Sequence, residues 1–361
     1  MSARMPLYVT IFKTLQGEIE EGLYSKNFPS EAQLVKRFSA SRQTVIRAMA
    51  ELVKAGFVER HRGSGTVVSR KMRQTLGCVG LVLPWFASTP FIGAVSQVCR
   101  AEGYTLLFRN ISEPSTSVEA RAAETRRMVR EFAEAKVSGV LLQPLQLVDD
   151  AVTANREMLE AFRRRRIPVV LVDHDICYRP ESSGCDVVGI DNFRAGYEIG
   201  RHLLERGAKR IVFLTRAHWA PTITERLHGV SAAVVEAGAE WRPDRNVVRC
   251  EPGDAKAVAR LLRRVRPDAL VCGNDNAAAR LLKTLRTLRV DVPRKVMVTG
   301  FDDLPHAALL TPSLTTVRQD FVRLAGVAAD MLFRRIRNPD GPTVSIMLPT
   351  RLIARESTAR G

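Results

Sequence analysis

Short apolar runs alternate with longer segments of helical periodicity over most of the chain, from Leu76 onwards. The runs at 79–83, 140–142 and 169–172 consist entirely of Val, Leu and Gly. Such strands are typical of a parallel sheet that helices cover on both faces, because they have no polar side to present to water. The same alternation of apolar runs and helical segments begins again near Asp186. The chain is therefore predicted to contain two doubly wound α/β halves, with a ligand crevice between them at the carboxyl ends of the strands.

Residues 29–52 carry the signals of two short helices joined by a tight turn. Ser30 and Gln33 have the spacing of a capping box at the start of the first helix, and Ser41 can cap the second. Alone, this pattern is typical either of a helix-turn-helix whose second helix enters the DNA major groove or of an ordinary helical hairpin with a solvated face.

The second of these helices has an apolar side and a polar side. At about 100° per residue, the apolar side is predicted to hold Val45, Met49, Leu52 and Val53, and the polar side Gln43, Thr44, Arg47 and Lys54.

A basic β-hairpin is predicted directly after this helix. Residues 57–62 and 66–68 have strand composition and flank the glycine-rich turn 63–65. In a winged helix such a hairpin is the wing. Gly63 and Gly65 would let its backbone approach DNA closely, while Arg60, His61 and Arg62 could contact phosphates. The wing favours DNA binding over a generic small domain.

A series of short motifs spans residues 6–69. They are Pro6-Leu7-Tyr8, Pro29-Ser30-Glu31, Leu34, Phe38, Ser41-Arg42, Thr44-Val45, Gly56 and Gly63-Ser64-Gly65-Thr66. Together they resemble the winged helix of the gluconate-repressor (GntR) family. The resemblance implies that DNA is contacted by Arg42, Gln43, Thr44, Gly63 and Gly65.

The chain departs from the pattern of that family at two positions. Ala32 stands where a basic residue follows Pro-Ser-Glu, and Ile46 stands where an Arg follows Thr-Val. Arg47 is expected to supply the missing cation from a rotated position. Base reading is then expected to depend on Gln43, Thr44 and Arg42; Gln suits adenine and Arg suits guanine in the major groove.

Further motifs run through residues 76–358. They are Asp191-Asn192, His202-Leu203-Leu204, Arg226 with Gly229, Pro267-Asp268-Ala269, Asn274-Asp275, Gly300-Phe301-Asp302-Asp303, Leu310-Thr311-Pro312, the segment 314–319 and Leu348-Pro349-Thr350. They resemble the sugar-binding effector domain of the lactose/galactose-repressor family, which is itself similar to periplasmic sugar-binding proteins. A GntR-type winged helix joined to this domain is similar to the arabinose repressors.

This second resemblance implies a set of cleft residues: Asp173, Arg226, Asn274, Asp302 and Gln319. Carboxylates and amides exchange hydrogen bonds with sugar hydroxyls, and a guanidinium binds a hydroxyl pair or an acidic group bidentately. Aromatic rings complete such sites by covering the apolar face of a sugar. The candidates for this role are Trp85, Phe86 and Phe91, in the first strand–helix loop, and Trp219, with plain core packing as the alternative for each.

The sequence shows no pattern of catalysis or of cofactor binding. Asp302 and Asp303 are neighbours, and successive residues of a strand point to opposite faces, so they are not expected to act as a catalytic pair. The six His and six Cys have no metal-ligand spacing, and no phosphate-binding glycine motif follows a strand. No catalytic residue, metal or cofactor is therefore expected, and scattered cysteines without CxxC indicate a reduced protein.

Charge and composition limit the partners of the chain. Its 361 residues are 45% hydrophobic and 26% charged, which is typical of globular proteins with two or three domains. The formal net charge of +17 favours a polyanionic partner, and residues 1–74 carry 13 Lys and Arg against 6 Asp and Glu. No apolar run approaches the roughly 18 residues that cross a bilayer, and the N-terminus has no secretory signal. A cytoplasmic protein without a membrane partner is expected.

These observations predict an α/β protein with an N-terminal winged helix-turn-helix at 1–69, a linker at 70–75 and a two-lobed, type I periplasmic-binding-protein-like domain at 76–358. Lobe 1 is expected at about 76–190 and 321–346, and lobe 2 at about 191–320 and 347–358. The expected function is that of a homodimeric repressor of carbohydrate-utilisation genes, with operator DNA and a sugar-like effector as partners. The alternatives are a cytoplasmic sugar-binding protein and a sugar-processing enzyme without a regulatory role.

Overall fold

A computed structural model of the chain shows an N-terminal helical domain followed by two α/β units. It describes residues 6–20, 23–24, 28–61, 65–69, 77–84, 89–111, 117–146, 151–177, 181–215 and 220–359. The predicted linker, 70–75, lies outside the described residues.

The N-terminal domain has three helices and a hairpin: α1 (Leu7–Glu20), α2 (Glu31–Phe38), α3 (Arg42–Lys54), β1 (Val58–His61) and β2 (Gly65–Val68). The strands β1 and β2 pair antiparallel, as expected for a wing. The predicted capping box is present, since the Ser30 hydroxyl accepts from the Gln33 backbone N–H while the Gln33 side chain accepts from the Ser30 N–H. Ser41 caps α3 through the Thr44 N–H.

The core of this domain lies between the three helices. On α3, Val45, Ala48, Met49 and Leu52 are each at most 1% exposed. The prediction that Val53 belongs to this side is wrong, since it is 39% exposed. It lies about 80° around the helix from Val45, at the edge of the apolar stripe, and Ala48 occupies the inward position instead.

The first α/β unit is built on a six-stranded sheet. Its strands are β3 (Gly77–Pro84), β4 (Tyr104–Ile111), β5 (Val137–Leu142), β6 (Val169–Val172), β7 (Asp186–Ile190) and β13 (Ser345–Leu348). They lie in the order β13-β7-β6-β5-β3-β4, and every neighbouring pair is parallel. The helices α4 (Thr89–Ala101) and α12 (Phe321–Arg337) cover one face, and α5 (Val118–Glu134) and α6 (Ala151–Arg163) cover the other.

The second unit is built on a four-stranded parallel sheet. Its strands are β8 (Ile211–Thr215), β9 (Val247–Arg249), β10 (Ala269–Cys272) and β11 (Met297–Thr299), in the order β11-β10-β8-β9. The helices α7 (Asn192–Glu205) and α8 (Pro221–Glu236) pack on one face, and α10 (Ala255–Val265) and α11 (Asp275–Thr287) on the other. The short helix α9 (Pro243–Asn246) precedes β9. Two doubly wound parallel units after a winged helix-turn-helix confirm the predicted fold class.

Short elements join the two units. The strands β12 (Thr316–Arg318) and β14 (Arg351–Ile353) form a small antiparallel sheet, and 3₁₀ helices lie at Pro305–Ala308 and Glu356–Thr358. The chain passes between the units three times, after β7, after β12 and after β13. These three-residue strands escaped the sequence prediction because they are too short to show an alternating pattern.

Two glycines bring the helices α7 and α8 into backbone contact. A Cβ atom at Gly196 would lie 1.9 Å from the carbonyl oxygen of Arg226, and one at Gly229 would lie 2.0 Å from that of Phe193. Both distances are far inside van der Waals contact, so no side chain fits at either position without moving a helix. The close approach fixes the position of α8 on its sheet.

We expect Gly196→Ala to lower the free energy of unfolding by about 1–3 kcal/mol, because the added methyl group overpacks a backbone contact. Gly326→Ala in α12 is the matched control, since a Cβ there meets nothing within 4 Å. It should leave stability unchanged or raise it by about 0.5–1 kcal/mol through helix propensity. Urea denaturation of both variants measures the difference, and equal effects would contradict the role of the contact.

Candidate functional site

A cleft of about 430 Å³ lies where the two α/β units face each other. All five described residues of the predicted cleft set border it: Asp173, Arg226, Asn274, Asp302 and Gln319. The structure thus brings together side chains that are up to 146 positions apart in the sequence. Three of the four aromatic candidates, Trp85, Phe86 and Trp219, lie outside the described residues. Phe91 borders the cleft while belonging to the core of the first unit, where it is 4% exposed.

Arg226, in the second turn of α8, is held rigidly although it is charged and only 4% exposed. Its Nε donates to Oδ1 of Asn192 over 2.8 Å, and its Nη1 donates to the carbonyl oxygen of Gly273 over 2.8 Å. Nη1 also lies 3.7 Å from Oδ1 of Asp302, and Cζ is 4.7 Å from the ring centroid of Phe301. A buried guanidinium with this many partners is oriented before any ligand arrives.

Asp302 follows β11 and forms the centre of the cleft wall. Its φ of +108° is a backbone conformation that non-glycine residues rarely adopt, and such strain is a feature of binding sites. Gln319 Nε2 donates to its Oδ1 over 2.6 Å. Burial and the charge of Asp173 raise the pKa of Asp302, while Arg226 and Gln319 lower it, and the net value is about 6. At neutral pH this carboxyl is therefore mainly a hydrogen-bond acceptor.

Asp173 faces the cleft from the first unit. It follows β6 and has a φ of +79°, and its backbone N–H donates to the carbonyl oxygen of Val188 over 2.8 Å. Its Oδ2 accepts from Nε2 of Gln143 over 3.3 Å and from Nε2 of Gln146 over 3.1 Å. Gln146 Nε2 also lies 2.8 Å from Nε2 of His174. These bonds orient the carboxylate toward the opposite wall.

Sequence reasoning missed five polar residues that border the cleft: Gln143, Gln146, Thr222, Asn276 and His306. Gln143 and Gln146 follow β5 directly, so the rule that polar side chains after parallel strands line the crevice could have found them. His306 belongs to the 3₁₀ helix after β11, and its Nε2 is buried without a hydrogen-bond partner among the described residues. An unsatisfied buried nitrogen beside a cleft is a ready partner for a ligand hydroxyl.

Asn274 has a structural bond as well as a place in the cleft. It is the N-cap of α11, where its Oδ1 accepts from the backbone N–H of Ala277 over 2.9 Å. The cap occupies the acceptor of the side chain and leaves the amide N–H groups as donors toward the cleft.

The side chains of Asp302 and Asp303 do not converge, in agreement with the sequence-based expectation. Gln319 binds Asp302, whereas two arginines bind Asp303. Oδ2 of Asp303 accepts from Nε of Arg318 and its Oδ1 accepts from Nη2 of Arg355, each over 2.6 Å. Its side chain is 6% exposed. Asp303 therefore binds the two small strands together and leaves Asp302 as the carboxylate that borders the cleft.

Asp275 is a fully buried carboxyl directly behind the cleft wall. It accepts hydrogen bonds from Oγ1 of Thr316 over 2.6 Å and from the backbone N–H of Leu304 over 2.8 Å. Burial, together with the nearby charge of Asp302, raises the pKa of Asp275 to about 7. Sequence reasoning gave this residue no role.

A second surface lies on the helix α3. The exposed residues of its outer side are Arg42, Gln43, Ile46, Arg47, Ala50 and Lys54. Cζ of Arg47 lies 4.0 Å from the ring centroid of Tyr8, so its cation stacks on α1. Thr44 is half-buried, with its hydroxyl 2.7 Å from that of Ser41.

The wing lies beside α2. Arg60 Nη2 donates to Oε1 of Glu31 over 2.8 Å, and Gly65 has a φ of +86°. The predicted contacts Arg62 and Gly63 lie outside the described residues.

Two features are absent from the part of the chain that the structure describes. No helix there is long and apolar enough to cross a membrane. No group of three or more His, Cys, Asp or Glu side chains there could hold a metal ion.

Comparison with known proteins places both parts of the chain. Residues 7–68 match the gntR family of bacterial regulatory proteins, and residues 201–358 match the periplasmic binding protein-like domain. The chain is 31% identical to the HTH-type transcriptional repressor PurR of Erwinia tasmaniensis over 77% of each chain. It is 26% identical to the arabinose metabolism transcriptional repressor of Geobacillus stearothermophilus over 98% of each. The crystal structure of the transcription regulator GntR from Chromobacterium violaceum superposes with a TM-score of 0.61 at 27% identity, covering 78% of this chain and 99% of that one.

These likenesses define a class of protein. The chain belongs to the bacterial transcriptional regulators with a LacI-type, periplasmic binding protein-like effector domain, here joined to a gntR-family DNA-binding domain. Both resemblances noted in the sequence are thereby confirmed.

We expect the ionisation of Asp275 to lower the stability of the protein as the pH rises from about 4 to about 7. The raised pKa of Asp275 means that the folded state holds this proton more tightly than the unfolded state does, so ionisation favours unfolding. Each such group changes the free energy of unfolding by at most about 1.4 kcal/mol per pH unit.

Asp275→Asn keeps both hydrogen bonds, because the Thr316 hydroxyl can rotate to accept, and should flatten the slope of the free energy of unfolding against pH. Asp330→Asn, on an exposed face of α12, should not. Urea denaturation between pH 5 and 8 tests this, and equal slopes in all three proteins would refute it.

Proposed function

We propose that this chain is a homodimeric, cytoplasmic repressor of carbohydrate-utilisation genes whose affinity for operator DNA changes when a sugar binds in the cleft. The observation that carries the proposal is the convergence of hydrogen-bonding side chains from both units on one cleft, in a chain that also bears a winged helix. The DNA-binding domain would comprise residues 1–69 and the effector domain residues 76–358, with the cleft between its two lobes.

The chemistry of the cleft favours a neutral polyhydroxylated ligand. Among the described residues of the cleft, the two carboxylates, Asp173 and Asp302, accept from hydroxyl groups, while the one guanidinium, Arg226, already serves protein acceptors. A phosphorylated or strongly acidic effector would meet more negative than positive charge from these residues. Phe91 and Phe321 supply an apolar border, and a volume of about 430 Å³ is within the range of small-molecule sites.

Effector binding would act by closing the lobes. Asp173 approaches the ligand from one lobe, and Asp302 and Asn274 approach it from the other, so a bound sugar favours the state in which both walls are near. In a dimer, closure would change the spacing of the two winged helices and hence their fit to two half-sites. A coupling of about 1–3 kcal/mol gives a 5- to 150-fold change in operator affinity. The effector would be released unchanged, since the mechanism requires no turnover.

A thermal-shift screen of pentoses, hexoses, deoxysugars and uronates should identify at least one stabilising sugar. At about 100 times its dissociation constant it adds about 2.7 kcal/mol to the free energy of unfolding. Asp302→Asn should lower the affinity for that sugar about ten- to a hundredfold, because the change removes a charge-assisted hydrogen bond of about 1.5–3 kcal/mol. Asp330→Asn should bind like the wild type.

The same sugar must also change the DNA complex. In band-shift titrations it should alter the operator affinity of the wild type and of Asp330→Asn, with little effect on Asp302→Asn at the same concentration. If no sugar alters affinity, the effector half of the proposal fails. Recovery of a modified sugar after incubation would instead indicate an enzyme.

On α3, we expect Gln43→Ala and Arg47→Ala to have different effects. Loss of Gln43 should relax preference at one base pair by about 1–3 kcal/mol, since its amide can pair with adenine. Loss of Arg47 should weaken binding to all sequences alike and reduce the salt slope by about 1, since a stacked cation beside the groove contacts phosphate. Titration on selected and random duplexes at several salt concentrations separates the two. If each variant lost the same affinity for the selected and the random duplex, the assignment of Gln43 to base reading and Arg47 to phosphate contact would be contradicted.

A further inference from the structure

Ile46 is an apolar residue on the exposed side of α3 that the fold does not use. It is 38% exposed, whereas Val45, one residue earlier, is fully buried. It is absent from the hydrophobic cluster that the described residues of the domain form. A β-branched side chain also lowers helix propensity relative to Arg, Lys or Ala at a solvated position. Neither packing nor helix stability therefore accounts for an isoleucine here.

The geometry of the helix places Ile46 beside Gln43. At about 100° per residue, Ile46 lies about 60° to one side of Gln43, and Arg47 lies about 40° to the other. Arg47 stacks on Tyr8 of α1, so the cation and the apolar side chain flank the amide on opposite sides. All three lie in the first half of α3, the part of a recognition helix that contacts base edges.

An isoleucine can read only one feature of the major groove. It has no donor or acceptor, so covering the polar edge of guanine, cytosine or adenine leaves a base atom desolvated and unpaired. The 5-methyl group of thymine is the one apolar group that a base exposes in that groove. We infer that Ile46 reads the methyl group of a thymine adjacent to the base that Gln43 contacts. The inference depends on the proposed entry of α3 into the major groove and names a second base in each half-site.

The test uses DNA with and without that methyl group. Duplexes are first selected from a random pool by the full-length chain, and each thymine of the selected site is then replaced singly by deoxyuridine. Deoxyuridine retains base pairing and the O4 acceptor and lacks only the methyl group. For the wild type, replacement at one thymine per half-site should weaken binding about three- to tenfold, the effect of exposing one buried methyl group. Ile46→Ala should bind both duplexes equally.

Val53→Ala is the matched control, because Val53 is 39% exposed on the same helix but lies two turns further along, about 10 Å away. On replacement of the sensitive thymine by deoxyuridine, Val53→Ala should lose as much DNA affinity as the wild type does. Circular dichroism checks that both variants are folded. If the wild type selects a site in which no thymine is sensitive, or if Ile46→Ala keeps the wild-type sensitivity, the role of Ile46 is refuted. If the wild type selects no sequence at all, the placement of α3 in the groove fails as well.

Discussion

The buried guanidinium of Arg226 holds the site together. It joins α7 through Asn192, the end of β10 through Gly273 and the loop after β11 through Asp302. A charge that is 4% exposed is tolerated only because these partners replace its hydration. The backbone contact at Gly196 also fixes the position of Arg226, since it holds the backbone carbonyl of Arg226 in α8 against α7. The shape of this cleft wall therefore depends on the hydrogen-bonded guanidinium of Arg226 and on the direct backbone contact between α7 and α8.

The two carboxylates of the cleft oppose each other across it. The negative charge of Asp173 contributes to the raised pKa of Asp302, so the two carboxylates repel each other across the cleft. In the proposed mechanism, bringing the walls closer would increase that repulsion unless hydroxyl groups or a proton intervene. A polyhydroxylated ligand would supply donors to both carboxylates at once and so favour closure. The groups that bind the ligand would then also oppose closure of an empty cleft.

The sequence predicted what local chemistry determines. Caps at Ser30 and Ser41 depend on residues three positions apart, and apolar strands with helices between them define doubly wound units, so both were predictable. Asp302 was found because its motif has a recognisable form. Gln143 was overlooked although it directly follows β5, whereas the role of His306 was not predictable because it depends on which loops meet across the cleft. The exposure of Val53 was mispredicted because a helical wheel does not show where the neighbouring helices end their contact.

Two of the three connections between the lobes bear residues of the site. Asn192 begins α7 directly after the chain leaves the first sheet, and Gln319 lies between β12 and α12, where it returns. The first accepts from Arg226 and the second donates to Asp302. In the proposed mechanism, a ligand that binds the pair Arg226–Asp302 would therefore act on the connecting segments themselves, where a small change in φ and ψ can rotate a whole lobe. Binding and lobe rotation would share these hydrogen bonds, so coupling between them would need no longer pathway through the core.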